Sequence, residues 1–196
     1  MEPHHLPPVG ARLRRRAGAL LLAVAAAYNA TNHLIRLGYR RIGHISGASN
    51  SAVTIDRKEG YMKALFEAGR AVEPALMADA DFSEMSGYQA MCRLLDAKVD
   101  AVFAASDMLA IGGMRAVREA GLSVPEDVAF VGFDDLPLNA PVDYSLTTVH
   151  QPVYQFGYTA VETLIDLINN GIQPPRRVIM DTELIVRDSC GASRRR

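Results

Sequence analysis

Residues 128–133, Val-Ala-Phe-Val-Gly-Phe, form an apolar run that ends in two acids, Asp134 and Asp135. A run this short, with turn formers at Pro125 to Asp127 on one side and acids on the other, has the length of a strand. It lacks the alternation of a strand that faces water on one side, so it reads as a strand buried on both faces of a parallel sheet. In open α/β sheets, ligands lie just beyond the carboxyl ends of the strands. Asp134 therefore stands where a ligand would.

The rest of the chain repeats that theme. Short apolar runs at 42–45 and 99–104 predict two more buried strands, and 73–82 reads as loop with a weak strand. Between them, Arg57 opens a helix with Tyr61, Leu65 and Phe66 at helical spacing, closing at Gly69. Helices are predicted over 86–95, over 108–120 with Gly121 at its end, and over 152–170 with Gly171 as its stop. Residues 178–186 read as one or two strands. Strands alternating with helices predict an α/β protein with a doubly wound parallel sheet.

The amino terminus admits two readings. Arg12, Arg14, Arg15 and Arg16 precede a short apolar run, as in a signal peptide. The pattern also continues unbroken to Gly38, as one amphipathic helix over 19–37 behind a basic leader, and this reading is preferred. The apolar run is too short to span a bilayer. A net charge of −1 gives the bulk of the molecule no attraction for nucleic acid. Cys92 and Cys190 make no disulfide framework, and reduced thiols in the cytoplasm are the plain expectation.

Three segments follow predicted strands and so open on one edge of the sheet. They carry Arg57, then Ser106 and Asp107, then Asp134 and Asp135. A guanidinium is a fork of donors and carboxylates are acceptors, which suits a small molecule rich in hydroxyls or amides. Each residue also has a plainer reading. Arg57 could be a solvated helix residue, Asp107 a helix N-cap, and the acid pair a turn or a Mg²⁺ ligand.

Leu37-Gly38-Tyr39-Arg40-Arg41-Ile42, Arg57-Lys58-Glu59-Gly60-Tyr61, Ser106-Asp107-Met108-Leu109-Ala110-Ile111-Gly112, Val131-Gly132-Phe133-Asp134-Asp135, Leu146-Thr147-Thr148-Val149-His150-Gln151-Pro152 and Glu183-Leu184-Ile185-Val186-Arg187 occur in this order. Together they resemble the effector-binding domain of LacI/GalR-type transcription regulators. The resemblance implies a periplasmic-binding-protein-like type I fold with one lobe nearly complete and the second only partly present. It implies residues 1–18 as a disordered leader, 19–148 as the first lobe, 149–190 as a crossover helix and strands of the second lobe, and 191–196 as a basic tail. It also implies a small-molecule effector, a sugar foremost, held by Arg57, Ser106, Asp134 and Gln151. Many relatives carry Asn where this chain has Ser106.

The same resemblance implies a homodimer with Ile111, Met114, Leu138 and Val142 as interface candidates, although core packing accounts for Met114 equally well. Operator DNA would be reached only through a helix-turn-helix, which is not recognisable in residues 1–16. Without the other half of the second lobe, Phe156, Val161, Leu164, Ile165 and Ile168 are expected to lack their sheet, and a sugar is expected to bind at millimolar strength at best. A periplasmic sugar-binding transport component is the alternative. An enzyme is not expected: no nucleophile elbow, metal-ligand spacing or phosphate loop is present, so no cofactor and no metal are expected.

Overall fold

The computed structural model describes residues 9–137, 145–171 and 180–194, with the backbone alone for 9–22. Contacts divide the chain into two compact units. One comprises Ala23–Gln151 with Thr182–Arg196, the other Met1–Leu22 with Pro152–Asp181.

The larger unit holds a six-stranded sheet of β1 (Ile42–Ser46), β2 (Met77–Asp79), β3 (Ala101–Ala104), β4 (Ala129–Asp134), β5 (Thr147–His150) and β6 (Glu183–Ile185), in the order β2-β1-β3-β4-β5-β6. The first five strands are mutually parallel, and β6 closes the edge antiparallel to β5. The expected α/β fold with a mostly parallel sheet is thus borne out. The strand order reverses between β1 and β3, and a crevice opens at the carboxyl ends at such a point.

Helices cover both faces. α3 (Glu84–Asp96) and α4 (Asp107–Glu119) share a core with Ile45, Val102 and Phe130. On the other face α1 (Val9–Arg36), through Leu34, and α2 (Ala52–Glu67), through Tyr61 and Leu65, pack with Phe103, Val131 and Phe133. Val102 and Phe103 are neighbours in β3 that feed opposite cores, because successive side chains alternate across a sheet. That is why these strands read as unbroken apolar runs.

Several boundaries differ from the sequence reading. α2 begins at Ala52 rather than Arg57, because its first turn buries polar Thr54 and Asp56 and so shows no apolar spacing. α1 begins at Val9, ahead of the expected start at 19. β5 was not expected as a strand: its Thr147 and Thr148 are polar yet buried.

β6 and the segment after it belong with the sheet of the larger unit, whereas the sequence reading grouped them with the crossover helix over 149–190. Side-chain bonds fix them there. The Ser189 hydroxyl donates to Phe130 O at 2.8 Å and accepts from Thr147 N at 2.8 Å, and Tyr39 OH donates to Cys190 O at 3.0 Å.

Gly112 and Gly113 serve close packing. A Cβ on Gly112 would overlap the Glu84 carbonyl of α3, and one on Gly113 would meet the Phe130 ring at 2.8 Å.

In the smaller unit, α5 (Val153–Asn170) has no buried residue. Phe156 is 41% exposed, Leu164 57% and Ile168 74%, in line with the expected lack of a covering sheet. Among the described residues no helix is long and apolar enough to cross a membrane.

Candidate functional site

Arg57 lies in the second turn of α2, and its side chain is only 7% exposed. Burial of a guanidinium demands partners. Nη1 donates to the carbonyl of Ala105 just past β3, and Nη2 meets Asp134 Oδ1 at 3.0 Å. The guanidinium carbon also sits 3.7 Å from the centre of the Phe133 ring, a cation–π contact.

Asp134 ends β4 at φ 112°, and Asp135 follows at φ 53°. Gln151 Nε2, just past β5, donates to the same Asp134 oxygen at 2.6 Å. The ends of β4 and β5 and one helix thus converge on one carboxylate, while the end of β3 holds the guanidinium that meets it. Among the described residues nothing bonds its second oxygen. Burial raises the Asp134 pKa, against the opposing pull of Arg57 and the bond from Gln151.

The second acid faces elsewhere. Asp135 Oδ2 bonds His150 Nδ1 at 2.9 Å, and Oδ1 accepts from Arg187 Nη2 at 2.8 Å. Partial burial disfavours its charge, but the bonds from Arg187 and His150 outweigh that and hold its pKa below the usual value. With each acid already matched by a guanidinium, the pair is poorly disposed to share a cation. Among the described residues no three His, Cys, Asp or Glu side chains cluster as metal ligands.

Ser106, not Asp107, is the N-cap of α4, its hydroxyl accepting from Leu109 N at 3.4 Å. Asp107 is the first helical residue and is 1% exposed. Its Oδ1 accepts from the Thr148 hydroxyl at 2.6 Å and Oδ2 from Leu136 N at 2.9 Å. Burial pushes its pKa up to about 6, against the effect of those two bonds.

Over residues 31–190 the chain matches the family described as periplasmic binding protein-like domain. The chain belongs to that family. It is 38% identical over 168 residues to the HTH-type transcriptional regulator CelR of Thermobifida fusca, a match covering 85% of this chain and 49% of that protein. The HTH-type transcriptional repressor CytR of Escherichia coli K12 is 37% identical over 171 residues, covering 86% of this chain and 50% of that protein. A solved transcriptional regulator CelR–cellobiose complex aligns with a TM-score of 0.81 at 38% identity, covering 86% of this chain and 52% of that one. The expected kinship with LacI-type regulators is therefore borne out. The chain spans about half the length of the curated relatives it matches.

In this periplasmic binding protein-like domain, Arg57, Asp134 and Gln151 meet at one point. Ser106 adjoins the loop through Ala105 but spends its hydroxyl on capping. Of the interface candidates, Ile111 is half-buried on α4, and Met114 is a core residue at 3% exposure, so it follows the packing alternative. Leu138 and Val142 lie outside the described residues.

The sequence reading missed Phe82. It follows β2 on the same sheet edge, at φ 70°, and its ring lies where a Cβ on Gly47 would stand. A bulky residue in the left-handed region is strained, and such strain gathers at binding sites. Only the proximity of a glycine to an aromatic across 35 residues reveals it, and no local pattern carries that signal.

Proposed function

We propose that this chain is the effector-sensing domain of a LacI-type transcriptional regulator, taking a small hydroxyl-rich molecule, a sugar foremost, at the carboxyl edge of its sheet. The observation that carries the reading is the Arg57–Asp134–Gln151 constellation, in which two donors converge on one oxygen and leave the other unbonded among the described residues. An unshared carboxylate oxygen beside a guanidinium suits a hydroxyl, which can donate to the first and accept from the second. Phe82 supplies an apolar ring on the same edge. The relatives are regulators, and one of them is a cellobiose complex, which favours sensing over transport and over catalysis.

In this reading the parent protein works in the cytoplasm as a homodimer, with α4 and Ile111 near the partner, and reaches operator DNA through a separate helix-turn-helix. Effector binding would shift its population between conformations. No cofactor is assigned.

The test is thermal denaturation of this chain with millimolar cellobiose, ribose and nucleosides, beside Asp134→Ala and Gln151→Ala. One class should raise the midpoint of the wild type and leave Asp134→Ala unmoved. An equal rise in both proteins, or none for any class, would overturn the reading.

A further inference from the structure

We propose that Asp107 is the positioning residue of this site: it holds the bend after β4 in the conformation that turns Asp134 towards Arg57. The proposal deepens the effector-site reading and rests on it.

Asp134 and Asp135 are successive non-glycine residues with positive φ, 112° and 53°. Such a residue is strained and persists only where its surroundings over-determine it. The bend therefore needs an anchor on its far side. Leu136 N is the first donor past the strained pair, and Asp107 Oδ2 accepts from it.

The other oxygen fixes Asp107 itself. Thr148 lies on β5 in register with Gly132 of β4, and its hydroxyl donates to Asp107 Oδ1. Gly132 makes the room, since a Cβ there would overlap that same oxygen. As first residue of α4, the carboxylate also faces the positive end of the helix dipole. One side chain thus ties α4, the bend and β5 together. At 1% exposure Asp107 cannot meet a ligand, so its role is to position.

The chemistry separates shape from mere presence. In Asp107→Asn the amide oxygen still accepts from Leu136 N, while the amide N–H donates to Thr148 Oγ, whose own proton rotates away. Asp107→Ala loses both ties. Thr148→Val keeps the shape and frees one oxygen.

The experiment is amide hydrogen exchange at Leu136, referenced to Val131 of β4, with φ-dependent NMR couplings at Asp134 and Asp135. Asp107→Ala should speed Leu136 exchange about tenfold, the loss of one part-buried bond, and move both couplings away from the left-handed values. Asp107→Asn should stay near wild type, and Thr148→Val should fall between. Unchanged exchange and couplings in a folded Asp107→Ala protein would overturn the proposal. So would an Asn variant that behaves like Ala. If Asp107→Ala does not fold, Thr148→Val decides, and an unmoved Leu136 then overturns it. No ligand enters these measurements, so their failure and a failure of sugar binding are read separately.

Discussion

Arg57 and Asp134 form a 3.0 Å ion pair in which burial works against both partners, lowering the pKa of the guanidinium and raising that of the carboxyl. On each side the cost of leaving water outweighs the partner's attraction. A pair of this kind is weak support for the fold.

That balance sets a first prediction. Asp134→Ala leaves a buried guanidinium unmatched and should lower stability by about 3–5 kcal/mol, whereas Arg57→Met with Asp134→Leu together should be near neutral. Denaturant titration of the wild type and both variants checks this, and the idea fails if the double variant is as unstable as the single one.

His44 sets the response to acid. It is fully buried between Tyr61 and Phe103, with ring centres at 4.9 and 5.1 Å, and its Nδ1 donates to Phe103 O at 2.9 Å. Its Nε2 has no partner among the described residues, so protonation would bury an unpaired charge. Burial lowers its pKa from 6.5 to about 4. The sign follows from the native form binding fewer protons than the unfolded one. The contribution, about 3 kcal/mol, is complete above pH 6.5 and is lost as pH falls towards 4. His44→Phe keeps the stacking and cannot titrate. Its stability should fall less than the wild type's between pH 6.5 and 4, and parallel profiles would refute this.

Two glycines should respond to alanine with opposite signs. Gly112→Ala drives a methyl group into the Glu84 carbonyl and should cost about 1–3 kcal/mol despite the better helix propensity. Gly157, in α5, has nothing within 4 Å of its would-be Cβ, so Gly157→Ala should add about 0.5–1 kcal/mol where α5 is helical. Melting curves of both decide it, and a shared sign would show the α3–α4 contact to be looser than described.

α5 should also open independently. With none of its residues buried, amides at 164–168 should exchange at least about a hundredfold faster than those at 129–131 in β4. Equal protection would mean that the apolar face of α5 is covered in solution.

The buried strands and the acid-terminated run ahead of a ligand edge were legible in the residues alone. A strand flanked by helices on both faces must be apolar at every position, and that mark survives without coordinates. The sequence by itself also determined the order of Arg57, Asp134 and Gln151 and the place of Asp134 at the end of a strand. Only the tertiary structure decided that two of them share one oxygen of the third, that Ser106 caps while Asp107 ties, that β6 returns to the first sheet, and that Met114 is core. Those outcomes depend on contacts between residues tens of positions apart, such as Asp107 with Thr148 or Thr147 with Ser189. Periodicity reports which side of an element is apolar, and it carries no information about which distant side chain will meet a buried polar group.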